Sequence, residues 1–403
     1  MGCWKKDRED KKNNGGWKIV VFEDWNYKKK YPLSETRPVY DLIVGCYSLK
    51  KRIEIVYNNK VDVINRFTLE QKLSGIFVNG SVFFKKKIEV EKNTIYTFND
   101  IPVIFYAENF ETSLLRDKSL FNDYIKTYKK VELSSNDCIY IEYAHNLLEL
   151  HYDVFSKDIL TFTKNNKKTK IRVLGDPKLL VVDDNVLISD CNVFDTRKGP
   201  IVIGKNSQII GPSLIQGPTF IGENTLIDSG KVRESFIGNT CKISGEVEAS
   251  IFLDFTNKHH EGFVGHSYIG SFVNFGALTT VSDLKNNYSF IKVFIDDQFV
   301  RTSQIKLGVF IGDYTRLGIG TLLNSGTVVG SFSNIFGGGM VPKFIPPFSW
   351  GKSYPFQKYE INRLKKDISI IAARRDKKIN EDYLCFIDKL YKEVSDEKYK
   401  NFV

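Results

Sequence analysis

Three of the five histidines in this chain of 403 residues lie close together, at His259, His260 and His266. Imidazole is the side chain whose unperturbed pKa lies nearest to neutral pH, so a positioned histidine can take a proton from a bound group. Lys258 directly precedes the first two, and a lysine can attract an anionic group such as a phosphate. The residue types around position 260 therefore predict proton transfer on a small anionic molecule.

The turn Asn274-Phe275-Gly276-Ala277 is a second segment suited to chemistry. Gly276 has no Cβ, so a bound carbonyl group can approach the backbone closely there. A backbone N–H placed at such a turn can donate to an oxygen that gains negative charge during a reaction. We therefore predict that Gly276 and Ala277 stabilise a reacting carbonyl oxygen.

Both segments lie in the second half of the chain, where apolar residues recur at every sixth position. The recurring residues are Ile203, Ile209, Ile215, Ile221 and Ile227, then Phe263, Ile269, Phe275 and Val281, then Ile305, Ile311, Leu317, Leu323, Val329, Ile335 and Val341. A small residue such as Ser207 or Thr219 often follows four positions later. A period of six fits neither an amphipathic helix nor a two-faced sheet, but it is typical of a parallel β-helix. We predict a β-helix over residues 179–350, with protrusions at 244–262 and 282–304.

The rest of the chain must position this β-helix, and its pattern divides into three parts. Residues 17–178 predict an α/β domain, and residues 351–403 predict C-terminal helices that cover the open end of the β-helix. Residues 1–16 predict a disordered tail. The predicted elements before the β-helix are strands Trp17–Phe22, Ile53–Tyr57, Gly75–Phe84, Ile101–Tyr106 and Ile139–Ile141, and helices Asp117–Tyr128 and Leu147–Ile159.

Composition and charge limit the kinds of partner and the cellular location that can be expected. Hydrophobic residues make up 42% of the chain, which supports a sizeable core, and no apolar run reaches the length of a membrane span. The net charge of +10 favours binding of small anions. The sequence has no basic stripe with interleaved aromatic residues, so nucleic-acid binding is not predicted. The six cysteines are scattered singly and the N-terminus has no apolar signal stretch. Reduced thiols in a cytoplasm are therefore expected.

Four segments resemble one family: residues 17–45 (WKIVVFEDWNYKKKYPLSETRPVYDLIVG), 245–270 (GEVEASIFLDFTNKHHEGFVGHSYIG), 274–288 (NFGALTTVSDLKNNY) and 343–351 (KFIPPFSWG). They resemble a Bacteroidetes-type sugar nucleotidyltransferase, a shortened relative of the bifunctional UDP-N-acetylglucosamine pyrophosphorylase/glucosamine-1-phosphate acetyltransferase. The resemblance implies a nucleotidyltransferase-like N-terminal domain followed by a left-handed β-helix. It also implies a homotrimer that transfers acetyl from acetyl-CoA to an amino-sugar phosphate.

The resemblance assigns roles to individual residues. In the bifunctional acetyltransferases the catalytic histidine precedes a Val-Gly pair by five residues, and this pattern places the general base at His260. His259 is then only a neighbour. Gly276 and Ala277 correspond to the family's Asn-Phe-Gly-Ala-Gly turn, which implies contact with the acetyl-CoA thioester.

This chain departs from the bifunctional enzymes at the acceptor site. Ser282-Asp283-Leu284-Lys285 replaces Ala-Asn-Tyr-Asp-Gly, so the sugar-contacting Asn and Tyr are not carried over. The Arg-Pro-Gly segment is missing as well, and we predict Lys231, Arg233 and Lys258 as the cations that bind the substrate phosphate. The identity of the acceptor sugar is left open by these differences.

The N-terminal half lacks the glycine-rich loop that cradles a nucleotide triphosphate. Glu23-Asp24-Trp25-Asn26-Tyr27 follows the first strand without a glycine, whereas a backbone phosphate nest needs glycines. The family's Thr-Arg-Pro signature points to Arg37 as the nucleotide-binding cation. Transfer from UTP, with Mg²⁺ as the expected ion, is therefore predicted to be slow or to depend on Arg37.

Two further classes of function stay open. A non-catalytic scaffold that binds sugar nucleotides would explain the altered N-terminal loop. A zinc enzyme resembling γ-carbonic anhydrases would need three histidines, and His259, His260 and His266 are available. The leading prediction assigns no metal site.

Overall fold

The computed structural model describes residues 17–68, 70–165 and 171–399, and the predicted tail over residues 1–16 lies outside the described residues. Contacts between Cα atoms divide the chain into two compact units, residues 1–25 with 50–140, and residues 26–49 with 141–403. The predicted boundary at residue 178 does not coincide with this division, because residues 26–49 and 141–178 group with the β-helix. Within the described residues no helix combines the length and the apolar character needed to cross a bilayer.

The first unit is built on a six-stranded mixed sheet. In spatial order its strands are Asp62–Ile64, Ile19–Phe22, Lys72–Asn79, Ile101–Glu111, Thr94–Phe98 and Lys129–Glu132. The first strand in the chain, Ile19–Phe22, is fully buried and runs parallel to both neighbours, as its continuous apolar sequence predicts. A separate antiparallel pair joins Val82–Phe84 to Cys138–Tyr140.

One predicted strand is a helix. Ile53–Tyr57 lies in α1 (Leu49–Tyr57), where the buried residues Leu49, Ile53 and Tyr57 are spaced by four while Ile55 is 54% exposed. The buried side chains therefore have the spacing of a helix. The strand prediction was wrong because it rested on the β-branched residues of this segment. Helices α2 (Lys118–Tyr124) and α3 (Ala144–Leu160) occur where the sequence predicts them.

Residues 173–351 form a parallel β-helix with three faces. The first face contains Val173–Leu174, Val193–Asp195, Leu214–Gln216, residues 230–233 and 245–248, Phe263–Gly265, Thr280–Val281, Thr321–Leu323 and Gly339–Met340. The second face contains Leu180–Val182, Ile201–Ile203, Thr219–Ile221, Phe236–Ile237, Ile251–Phe252, Tyr268–Ile269, Phe310–Ile311, Val328–Val329 and Phe344–Ile345. The third face contains Leu187–Ile188, Gln208–Ile210, residues 226–227 and 242–243, Asn257–Lys258, Asn274–Phe275, Arg316–Leu317, Asn334–Ile335 and Ser349–Gly351.

The recurring apolar residues stack inside this coil, as the six-residue period predicts. Ile209, Ile227 and Ile243 are in register on the third face and all are fully buried. Phe263 and Ile305 are exceptions. Phe263 is half-buried, and its neighbour Val264 is the fully buried residue of that rung. Ile305 is 46% exposed because the chain has left the coil there, in an insertion that carries the hairpin Lys292–Ile295 and Gln298–Arg301.

The protrusion predicted at 244–262 is much shorter in the structure. Lys242–Glu248, Ile251–Phe252 and Asn257–Lys258 continue the coil, and only residues 259–262 bulge from it. The irregular sequence hid these rungs because Lys258 occupies a position where the other coils have an apolar residue.

Helices α4 (Ile361–Ala373) and α5 (Glu381–Glu393) pack along an edge of the β-helix. Their apolar residues Leu364, Ile368 and Ile387 cover a column of aromatic rings at the corner between the second and third faces. The column consists of Phe255, Phe272, Tyr314, Phe332 and Phe348. The helices therefore do not cover the open end, where Gln357–Lys358 instead pairs antiparallel with Ser349–Gly351. The predicted fold class is otherwise confirmed: an α/β domain, a left-handed parallel β-helix and C-terminal helices.

Candidate functional site

An oriented histidine lies at the corner between the first and second faces. His266 follows the strand Phe263–Gly265, and its Nδ1 is 2.7 Å from a carboxylate oxygen of Asp283. Both side chains are largely buried, at 13% and 14% exposure. An ionised carboxylate accepts the proton of Nδ1 and so leaves Nε2 as the acceptor nitrogen. The pair has the arrangement of a base with its orienting group.

A cavity of about 530 Å³ opens beside His266. Helix α3 forms one wall through Tyr152 and Phe155, and Lys198 and Glu234 line the corner of the β-helix opposite. The Tyr152 hydroxyl donates to the carbonyl of Ala249 at 2.9 Å, which fixes this wall, and burial raises the pKa of Tyr152 well above its ordinary value. The cavity is large enough for a small polar ligand next to the histidine.

His260, the base predicted from the sequence, lies on the bulge at residues 259–262. It is exposed, and its ring makes no hydrogen bond within the described residues. His259 contacts Asp228 at 3.2 Å instead. The structure therefore separates His260 from the oriented pair. It places His260 one coil before the Gly276 turn, since the N–H of Leu278 donates to the carbonyl of Glu261 at 3.0 Å, and the assignment of His260 as the base stays a prediction.

Sequence reasoning missed the His266–Asp283 pair, although a signal was present. The two residues are 17 positions apart, about one coil, so a corner residue of one coil lies above the corner of the next. A histidine and a carboxylate that are one coil apart in the sequence are expected at the same corner, and this spacing could have predicted the pair. The three histidines do not converge, and the described residues contain no group of three or more metal-ligating side chains. The zinc alternative gains no support.

The glycine turn lies at the corner between the third and first faces. The N–H of Gly276 donates to the carbonyl of Leu317 at 2.7 Å, so the coil ladder already uses it. A Cβ at Gly276 would lie 2.6 Å from backbone atoms of the next coil, which explains the need for glycine. The N–H of Ala277 makes no hydrogen bond to another group within the part of the chain that the structure describes. Of the two predicted donors, Ala277 is the available one.

Lys258 is 1% exposed and points into the coil. Its Nζ donates to the carbonyls of Ser244 and His260, both at 2.7 Å, and so ties the bulge to the neighbouring turn. Burial lowers the pKa of this amine to about 8. A lysine held in this way supports the bulge and does not face a substrate, contrary to its predicted role in phosphate binding.

Lys258→Met is expected to change the pH dependence of stability. The unfolded lysine keeps its proton up to about pH 10.4, whereas the folded amine loses it near pH 8. The protein therefore gains stability as pH rises between these values, by about 3 kcal/mol for a shift of this size. Urea unfolding of both proteins at pH 7 and pH 10.5 measures the effect. A difference between the two proteins that is equal at both pH values would contradict it.

The other predicted phosphate-binding cations differ in their availability. Arg233 donates to Glu246 at 2.7 Å and to Glu248 at 2.8 Å, so its guanidinium is already occupied. Lys231 is exposed on the first face, in register with Glu246. Lys231 is therefore the one of these two whose charge is open to a ligand.

Arg37 lies in the interior of the second unit. Its guanidinium contacts a carboxylate oxygen of Asp313 and donates to the hydroxyl of Ser271 at 3.1 Å, and Thr36 donates to the same carboxylate at 2.6 Å. Burial opposes the charge, but attraction by Asp313 outweighs it and raises the pKa of Arg37 above its ordinary value. This placement joins residues 26–49 to the β-helix and favours a structural role over nucleotide binding.

Arg37→Ala is accordingly expected to destabilise the protein by about 3–5 kcal/mol, because it leaves a buried carboxylate without its partner. Arg116→Ala is the control, since its ion pair with Glu70 is exposed and is worth less than about 1 kcal/mol. Chemical unfolding measures both. Weaker UTP binding by the Arg37 variant at unchanged stability would favour the nucleotide-binding role instead.

In the first unit, five polar residues come together near the carboxyl ends of the parallel strands. Glu23 contacts Arg66, and Asp24 accepts hydrogen bonds from Asn79 at 2.9 Å and from Tyr140 at 3.0 Å. Ligands commonly bind at such strand ends in α/β sheets. Here two buried carboxylates replace a glycine loop, and carboxylates do not attract a triphosphate.

Comparison with known proteins finds a family model and relatives that match parts of this chain. Residues 19–167 match the family model described as Sugar nucleotidyl transferase. A bifunctional sugar-1-phosphate nucleotidylyltransferase/acetyltransferase from Sulfurisphaera tokodaii is 24% identical over 308 residues, covering 72% of this chain and 73% of that protein. Over these ranges the chain is similar to a sugar nucleotidyltransferase family and to a bifunctional transferase. The resemblance found in the sequence, and the expectation of a transferase, are thereby confirmed.

Other matches cover smaller parts. Bifunctional protein GlmU from Methanocaldococcus jannaschii is 37% identical over 100 residues, which is 25% of this chain and 23% of that protein. Among solved structures, the polySia specific acetyltransferase NeuO is 18% identical with a TM-score of 0.27, over 47% of this chain and 91% of that one. The β-helix is established by the pairing of its own strands from coil to coil.

Proposed function

We propose that the chain transfers an acetyl group from acetyl-CoA to the amine of an amino-sugar phosphate. The His266–Asp283 pair beside the cavity carries the proposal, because acyl transfer to an amine needs a positioned base. Glucosamine-1-phosphate is the acceptor to test first, since sugar-1-phosphate chemistry is named for the Sulfurisphaera tokodaii relative. A cytoplasmic location is part of the same proposal.

Each residue has a defined part in this reaction. The amine nitrogen forms a bond to the thioester carbonyl carbon while Nε2 of His266 takes its proton. Asp283 stabilises the imidazolium that results. The N–H of Ala277 donates to the carbonyl oxygen as it becomes negative. The C–S bond then breaks, and the CoA sulfur leaves as a thiolate that receives the proton from His266.

The two groups lie at different corners of one β-helix. His266 is at the corner between the first and second faces, and Ala277 is at the corner between the third and first faces. A single chain therefore holds its base and its N–H donor on opposite edges of the first face. A neighbouring chain in a closed homotrimer supplies the second group, so that each site is shared between two chains.

Exposed apolar residues support this assembly. Leu278 is 60% exposed, Ile319 71%, Leu322 38% and Met340 52%. All four lie on or beside the first face in the last coils, next to the corner that carries Ala277. A contiguous apolar strip of this kind is typical of a protein–protein interface. We assign it to the second copy of the chain.

The first unit has a six-stranded mixed sheet, and no glycine-rich phosphate loop follows its first strand. We propose a slow UTP-dependent transfer, with Mg²⁺ bound largely through the nucleotide phosphates, as is usual for this ion. A non-catalytic role in binding sugar nucleotides is the second candidate, favoured by the internally paired Glu23 and Asp24.

An assay of the full chain with acetyl-CoA and glucosamine-1-phosphate separates these candidates. Release of CoA thiol that requires the amine supports the acetyltransferase. Binding of a sugar nucleotide without turnover of either acetyl-CoA or UTP supports the scaffold.

A further inference from the structure

A group of arginines lies outside the acyl-transfer site, where the C-terminal end of α4 meets the third face. Arg316 projects outward from the third face because the next residue, Leu317, is the buried rung. Arg374 forms the C-cap of α4, and Arg375 follows it. We call Arg316, Arg374 and Arg375 the arginine cluster.

In the part of the chain that the structure describes, no carboxylate lies at ion-pair distance from the arginine cluster. Within the described residues, none of its guanidinium groups makes a hydrogen bond or an ion pair. Arg37, Arg66 and Arg233 each contact a carboxylate, so pairing is how this chain usually holds a buried or half-buried arginine. The arginine cluster departs from that pattern.

The side chains are also crowded. Burial lowers the pKa of Arg316, and the charges of Arg374 and Arg375 act in the same direction. Burial likewise lowers the pKa of Arg375, again with a contribution from Arg374. Tyr359 and Asp367 attract Arg316, but the Asp367 carboxylate accepts its hydrogen bond from the Tyr359 hydroxyl at 2.5 Å. The protein therefore keeps repelling cations together without neutralising them.

Neutral hydrogen-bonding groups continue the surface beside Arg316. Asn274 is the residue in register with Arg316 on the preceding coil, and its side-chain oxygen accepts from Asn257 at 2.8 Å. This hydrogen bond directs the amide so that the NH₂ group of Asn274 remains as a donor. The surface thus combines three cations and an amide donor, which is the chemistry that a phosphate group requires.

We propose that Arg316, Arg374 and Arg375, with the amide of Asn274, form a binding site for a phosphate group. Arg374 is exposed, which gives the ligand access from solvent, while Arg316 and Arg375 are partly buried and can hold an anion firmly. Three phosphate sources fit: inorganic pyrophosphate, the 3′-phosphate of a CoA molecule and a sugar phosphate. The proposal does not depend on the acetyltransferase activity, because anion binding can be measured without turnover.

The test is calorimetric titration of the full chain with inorganic pyrophosphate at low salt. The wild type is expected to bind it, and Arg316→Gln and the double variant Arg374→Gln/Arg375→Gln are expected to bind at least about tenfold more weakly, the loss of one charge-assisted contact. Lys366→Gln is the matched control, because it removes one exposed charge from the same helix and should leave binding unchanged. Absence of binding to the wild type at millimolar pyrophosphate, or equal binding by all variants, would overturn the proposal.

A thermal melt separates loss of the site from loss of the fold. Without ligand, Arg316→Gln should melt close to the wild-type temperature, because the Arg316 guanidinium makes no ion pair within the described residues. With pyrophosphate, only the wild type and Lys366→Gln should shift upward. A ligand-induced shift of the same size in Arg316→Gln would contradict the site.

Competition identifies the source of the phosphate. If CoA displaces pyrophosphate and 3′-dephospho-CoA does so much more weakly, the natural ligand is the 3′-phosphate of CoA. If neither displaces it and a sugar phosphate does, the site takes the sugar phosphate. Displacement by all phosphates alike assigns a general phosphate site.

Discussion

His266→Ala is expected to lower kcat for acetyl transfer by about 10²–10⁴-fold, the usual contribution of a positioned proton acceptor. KM for acetyl-CoA should change little, because the imidazole acts on the amine and does not hold the cofactor. The reason lies in the geometry: Nδ1 of His266 is 2.7 Å from Asp283, and the ring borders the cavity. Steady-state kinetics with both substrates varied measures the effect.

Two further variants test the same assignment. His260→Ala is the matched control, since this exposed histidine lies on a bulge without an orienting partner and should keep nearly full activity. Asp283→Asn should retain the fold but lose much of kcat, because the amide cannot stabilise the imidazolium as a carboxylate does. A large loss for His260→Ala with little loss for His266→Ala would return the base to the position predicted from the sequence.

Mixed trimers are expected to recover activity that neither parent variant has. His266→Ala removes the base, and Ala277→Pro removes the N–H that we assign to the carbonyl oxygen, so each variant alone should be nearly inactive. If each site takes its base from one chain and its donor from the next, random mixing in equal amounts restores about one site in four. Co-expression of the two variants, followed by purification of the mixed trimers and an acetyl transfer assay, measures the recovery.

The outcome separates shared sites from sites within one chain. Sites contained in a single chain would give no recovery, since every chain in the mixture carries one defect. Light scattering must show trimers for both parents, and matching melting temperatures must show that Ala277→Pro folds. A monomer at micromolar concentration would remove the basis of the shared site.

The sequence by itself determined the repeating part of the fold. Ile209 and Ile227 had to stack because a period of six places one residue per face in the same direction on every coil of 18 residues. The fully apolar Ile19–Phe22 likewise had to be a buried strand. These features follow from local periodicity, which needs no knowledge of distant contacts.

Local periodicity was insufficient where an insertion or a substitution interrupts it. Lys258 was expected on a protrusion facing a substrate, but the coil continues through it, because two backbone carbonyls satisfy its amine in the interior. Ile305 continued the six-residue count and yet lies outside the coil. In α1, the β-branched Ile53 and Ile55 favoured a strand. The segment is a helix, in which every fourth residue is buried.

The candidate site depended on the tertiary structure for its main residue. The sequence offered three neighbouring histidines, and only the coil decided that His266 meets Asp283 while His260 is left exposed. Likewise the glycine turn was visible in the sequence, but the ladder decided that Gly276 donates to Leu317 and that Ala277 keeps its N–H available. Residue type sets what chemistry a side chain can do, whereas the partners that orient or occupy it come from other coils and other elements, and these meet only when the chain folds.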